Sequence, residues 1–311
     1  MNPGTLLEPT TTVTAESGLD VAFNIAPPAT ETEFEAQPLV LEKRSGWRPV
    51  NVRELWRFRE LMYFLVWRDV KVRYKQTVLG VAWAVLVPVF SVAIFTVIFG
   101  NFAGLKNLLP PQMAAAYPVY VYAAILPWLL FSNAISLGGM SLLNQQQLLT
   151  KVYFPRLFVP AAVVTGGVID LAISLVVFGC LMGLYGVAPS AALLWLPALT
   201  LLAYVASLGA AFLLSSLTVA YRDFRFVIPF LVQVWQYVSP VLYPASIVPS
   251  RYRLIYALNP MTGIIEGFRS AVFGTPVDLP LIGVSTLSSI ALFALGIAWF
   301  RRTERRFADI A

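Results

Sequence analysis

Histidine is absent from the 311 residues, so no imidazole can serve as base, proton relay or metal ligand. A single cysteine, Cys180, lies inside an apolar run. Alone it cannot close an intramolecular disulfide, and it says nothing about redox compartment. Charge is scarce: 12% of residues are Asp, Glu, Lys or Arg, where a soluble domain carries about 25%. No GxxxxGK followed by Ser or Thr occurs, so ATP can be used only through another polypeptide. Cys/His clusters, a GxSxG elbow and paired carboxylates are also missing. These absences argue against an enzyme and leave a chain that provides a path or a site.

Apolar surface is what the chain has in abundance. The hydrophobic fraction is 58% and the mean hydropathy +0.74. In the stretch from Trp67 to Gly100 a basic run (Arg68, Lys71, Arg73, Lys75) gives way to 21 uncharged residues, Leu79 to Phe99. A bilayer surface satisfies both halves, with cations among anionic headgroups and the apolar run in hydrocarbon. Six such runs predict six transmembrane helices, at 79–99, 118–140, 158–182, 193–217, 226–243 and 281–300. The expected fold class is therefore an all-α integral membrane protein. Most Lys and Arg flank these spans, which argues against nucleic acid as a partner. Ten precede the first span, and the connections then carry one, two, none, two and three, with four at the C-terminus. That bias places both termini in the cytoplasm.

Residues 1–45 read as a disordered cytoplasmic tail. The first 42 hold seven acids and no Lys or Arg, a composition that cannot bury enough apolar surface to offset its ordering entropy. From Asn51 to Lys75 the pattern turns helical, and 46–78 reads as an amphipathic region. A continuous helix puts Arg53, Arg57, Glu60, Arg68, Lys71 and Lys75 on one face, with Val52, Leu55, Trp56, Met62, Tyr63 and Val66 roughly opposite. Such a helix is expected to lie in the membrane interface. The remainder, 79–311, reads as the transmembrane domain.

Four features invite a functional reading. The connection Asn144 to Pro160, NQQQLLTKVYFPRLFVP, either docks on a soluble partner through Tyr153 and Phe154 or is a turn into a Pro-started helix. AYRDFR, 220–225, sets Arg222 and Arg225 around Asp223 at a membrane edge, where snorkelling alone is a sufficient reason for arginine. Asp170 stands near the middle of the third span, where a carboxylate costs about 2.5–3.5 kcal/mol and must face protein or a water-filled cavity. It reads either as a proton or substrate group or as a structural hydrogen bond to a neighbouring helix, beside Gly166 and Gly167. Aromatic residues are dense in the first and fifth spans.

Taken together, RYKQTVLGVAWAVLVP, KVYFPRLFVP, AYRDFR, NPMTGIIEGFR and ERRFAD resemble, in order, the membrane subunit of ABC-2 type polysaccharide exporters, the O-antigen, capsule and teichoic acid class. The resemblance covers about residues 50 to 311. It implies a homodimer on two copies of a separate ATPase subunit, which would bind ATP and Mg; no cofactor is implied for this chain. It implies a polyprenyl-diphosphate-linked glycan as substrate and a bacterial cytoplasmic membrane as location, with membrane lipids as the surroundings. The region of Arg68, Lys71, Arg73, Tyr74, Lys75, Leu79 and Gly80 corresponds to a substrate entrance and gate. Asn144, Gln147, Lys151, Tyr153, Phe154, Pro155 and Arg156, with Arg222, Asp223 and Arg225, correspond to the ATPase-coupling segments. Residues 259–274 correspond to a re-entrant segment at the external exit. First and fifth helices line the channel in that family, which makes Trp83, Phe90, Phe95, Trp235, Tyr237 and Tyr243 candidate channel aromatics. Two other classes remain open on the residues: an ABC-2 exporter of a lipid or drug, and a membrane enzyme of envelope-glycan assembly.

Overall fold

The computed structural model describes residues 52–75, 82–151 and 154–304, and among these the chain is helical with no strand. The acidic tail, Leu79, Gly80 and Tyr153 lie outside the described residues.

Two N-terminal helices, α1 (Val52–Arg57) and α2 (Arg59–Lys75), are separated by a break at Phe58. The first span is α3 (Ala82–Phe95), continued by a wider π-helical stretch, Thr96–Phe102. The second is α4 (Tyr117–Asn133), which runs on through Ala134–Gly138 and Gly139–Asn144. A short helix, Gln146–Lys151, follows. Then come α5 (Phe158–Leu184) and α6 (Leu196–Ala220). The chain closes with α7 (Phe224–Val238), α8 (Pro260–Phe273) and α9 (Leu279–Glu304).

Five of these segments are long and apolar enough to cross a membrane: 85–102, 117–144, 158–184, 191–220 and 279–304. The fifth expected span, 226–243, is shorter than predicted. α7 has 15 residues, about 22 Å of helix against about 30 Å of hydrocarbon. It stops because Ser239 is extended (φ −96°, ψ 150°) ahead of Pro240, the conformation that proline imposes on the residue before it.

Small residues set the closest helix contact. A Cβ on Gly296 of α9 would lie 2.3 Å from the Gly209 carbonyl oxygen of α6, so only glycine lets the two backbones meet there. At the end of the bundle that carries Arg156 and Arg301, Phe154, Phe158, Phe212 and Phe300 form one buried cluster with Leu65 of α2.

α2 packs against α5. Val70 lies against Gly166, and Arg73 and Tyr74 meet Asp170 one turn further along, so α2 runs lengthwise beside α5. From Phe158 to Asp170 is about 18 Å of helix, well along the span. Leu61, Leu65 and Val70 pack toward the bundle, and Trp56 and Tyr63, expected to face the membrane interface, are exposed. The predicted cationic face is exposed.

α8 is capped at both ends by its sequence. Asn259 accepts from the Met261 amide (3.1 Å) and precedes Pro260 at the first turn. Gly274 closes the helix with φ +65°. Eleven of its 14 residues are buried. Ser285 of α9 accepts from the Gly263 amide (2.9 Å) and donates to the Ala257 carbonyl (3.0 Å), which fixes the turn before α8 against α9.

Candidate functional site

A cavity of about 250 Å³ lies among α2, α3, α4 and α5. Its polar lining residues are Arg73, Tyr74, Asn133, Asp170 and Ser174, and Trp83, Val87 and the leucines of α4 are among the apolar ones. Arg73 makes an ion pair with Asp170 through Nη1 and Oδ2, and the Tyr74 hydroxyl donates to Oδ1. Both oxygens of the carboxylate are thus partnered. The side chains of Arg73 and Asp170 keep 27% and 19% of their surface exposed, so the pair sits at the cavity wall rather than in dry core. This settles how Asp170 is tolerated in a span: its partner is a cation from the N-terminal helix, 97 positions away.

Of the expected entrance cations, Arg73 alone turns inward. Lys71 and Lys75 are exposed, and Arg68 pairs with its neighbour Asp69 at 2.8 Å.

The coupling candidates divide as well. Asn144 and Gln147 are exposed, and so are Arg222, Asp223 and Arg225. Lys151 ends the short helix. Phe154, expected to insert into a partner, is 5% exposed and packs inside the chain's own aromatic cluster. Its bulk is already buried, so it anchors the loop to the bundle. Arg156, expected to pair with a partner's acid, donates from Nη1 to the Glu304 carbonyl at 3.1 Å, tying the loop to the end of α9. Pro155 between them is partly buried.

The six candidate channel aromatics have different surroundings within one copy of the chain. Trp83, Phe90 and Tyr237 are exposed. Phe95 packs edge-on against Phe99. Trp235 meets Phe131 edge-to-face at 4.9 Å and donates Nε1 to Asn259 at 2.9 Å. Tyr243 donates to the Tyr237 carbonyl (3.0 Å), leaving its oxygen to accept from Tyr256. Burial first, and that hydrogen bond second, push the Tyr256 hydroxyl above the usual tyrosine range, so it stays a donor.

A second polar centre was not singled out from the sequence. Arg269 of α8 is buried, and its Nη1 donates to Glu266 at 2.8 Å and to the Tyr243 carbonyl at 3.2 Å. Nη2 donates to the Val241 carbonyl at 3.2 Å, and the guanidinium lies 3.9 Å from the Tyr120 ring centroid. The spacing of Glu266 and Arg269 is the helical i, i+3 signal that could have revealed it.

Long apolar helices packed around buried polar centres define a polytopic membrane protein. A family profile, that of ABC-2 type transporters, matches residues 60–273, and the chain belongs to that family. Over 262 residues it is 28% identical to the O-antigen export system permease protein RfbA of Myxococcus xanthus, covering 83% of this chain and 98% of the relative. It is 24% identical over 252 residues to the protein of that name from Klebsiella pneumoniae, covering 81% of this chain and 95% of the relative.

Proposed function

We propose that the chain is the permease subunit of an ATP-driven exporter that carries a lipid-linked polysaccharide of O-antigen type across the bacterial cytoplasmic membrane. Two copies form the path, and a separate ATPase subunit, carrying ATP and Mg, drives it. The observation that carries this reading is end-to-end similarity to O-antigen export permeases, 98% of the Myxococcus relative being covered.

The geometry is compatible. α3 and α7 each expose aromatic rings, Trp83 and Phe90 on one and Phe226, Phe230 and Tyr237 on the other. A second copy and a sugar chain would cover them. The exposed Asn144, Gln147, Arg222, Asp223 and Arg225 offer polar contacts to the ATPase. Arg68, Lys71 and Lys75 lie where an anionic lipid head would arrive, at about 1 kcal/mol per cation. Both termini face the cytoplasm in this reading, and α8 is the re-entrant segment of the exit.

The test is reconstitution with the cognate ATPase and a panel of lipid-linked glycans. Glycan-stimulated ATP hydrolysis by an assembly containing two copies of this chain is expected. Transport of a small lipophilic drug, with no glycan stimulating hydrolysis, would overturn the reading, and a functional assembly with one copy would overturn the dimer.

A further inference from the structure

The Arg73–Asp170 pair has features of a contact made to be exchanged. Among the described residues the guanidinium is engaged through Nη1 alone, by one carboxylate oxygen. Its Nε and Nη2 edges are left for another acceptor, whereas a tight Arg–carboxylate pair is a two-point fork. Asp170 depends less on Arg73 than the reverse, because Tyr74 holds its other oxygen. The pair also borders empty space instead of packed core.

That space is of mixed character. Arg73, Tyr74, Asn133, Asp170 and Ser174 line it together with Trp83, Val87, Leu126, Leu129 and Leu137. From Leu126 to Leu137 the wall follows about 16 Å of α4. A single anionic group joined to a long apolar chain matches both kinds of lining. Phosphate can engage the guanidinium fork through two oxygens, whereas Asp170 has one left for it because Tyr74 holds the other.

We propose that this cavity binds an amphiphile with a phosphate head, and that the phosphate exchanges with Asp170 as the partner of Arg73. Asp170 is then a stand-in anion, keeping the guanidinium neutralised while the cavity is empty. On binding, Arg73 swings to the phosphate, Asp170 stays on Tyr74, and the ionic tie between α2 and α5 is released. The assignment of the amphiphile as transported cargo rests on the proposed export function; the exchange itself does not.

The experiment uses the full chain in nanodiscs, without ATPase. A fluorescent polyprenyl phosphate is the probe, with polyprenol and phosphatidylglycerol as comparisons. Arg73→Gln is expected to weaken polyprenyl phosphate by about tenfold or more, the worth of a charge-assisted contact, and to leave polyprenol unchanged. Asp170→Asn is expected to strengthen it by about two- to fivefold, since the competing anion is gone. A merely structural pair would not produce opposite signs. Leu129→Trp, which fills the cavity and spares the pair, is expected to weaken binding, and it covers the case that Arg73→Gln fails to fold. Preference for polyprenyl phosphate over phosphatidylglycerol identifies cargo as the source; equal binding with the same response to Arg73→Gln supports the site with bilayer lipid as its ligand. Weakening by both Arg73→Gln and Asp170→Asn would overturn the exchange, and indifference to Arg73→Gln and Leu129→Trp would overturn the site. Because no transport enters this assay, its failure leaves the export reading intact, and failure of export leaves a positive binding result standing.

Discussion

Arg269 offers the sharpest test of how α8 is held. Its side chain is 2% exposed and meets Glu266, the backbone carbonyls of Tyr120, Val241 and Tyr243, and the Tyr120 ring. Arg269→Met keeps most of the volume and removes the charge and every donor. Breaking a buried ion pair by deleting one partner costs about 3–5 kcal/mol. Glu266 keeps 24% of its side-chain surface exposed, so water softens its loss and the lower end applies to that term. The carbonyls of Val241 and Tyr243 each lose a donor, at about 1–3 kcal/mol where water cannot replace it. These terms overlap, and a net loss of about 3–5 kcal/mol is the expectation, read as a melting temperature lower by roughly 10 °C in detergent. The control is Glu266→Met alone and in combination. Removing the pair as a unit leaves no orphaned charge, so the double variant is expected to recover about 1–3 kcal/mol relative to the sum of the singles. Additive singles, or an Arg269→Met protein that melts with the parent, would refute the account.

Two further predictions follow from packing. Gly296→Val puts a branched Cβ into the Gly209 carbonyl at 2.3 Å, so α6 and α9 must part; the expected result is loss of monodisperse protein on size-exclusion chromatography, and a well-behaved variant would show that the seam is looser than drawn. Phe154→Ala empties a buried site in the cluster with Leu65, Phe158, Phe212 and Phe300, at about 3–5 kcal/mol. Export should therefore fall together with thermal stability; lost export at parental stability would return Phe154 to a direct contact with the ATPase.

The spans were legible because length and lack of charge suffice to define them, and the ABC-2 motifs added the family. What was less legible depends on pairs distant in sequence. Periodicity correctly separated the exposed cations of α2 from its apolar residues, but it could not say which body the apolar side meets. Leu65 and Val70 turn out to pack toward the bundle. The missing clue was already present in Asp170. A carboxylate at that depth requires a donor, and the spans themselves contain few charged groups to supply one. Cations flank most of the spans, and the sequence alone does not say that Arg73, from the helix before α3, is the one that meets Asp170. Arg269 illustrates the reverse error: counted as a loop charge, it is buried, because Glu266 one turn earlier and the carbonyls of a broken chain segment supply the acceptors. In both places a charge inside an apolar surrounding marks where two segments are forced together. For α8 the charged tie has several partners, and for α2 it is one guanidinium nitrogen beside a cavity, with the Tyr74 hydroxyl and the packing of Leu65 and Val70 holding the helix besides. That difference in redundancy is the physical ground for treating the Arg269 tie as fixed framework and the Arg73 contact as the one that a ligand can take over.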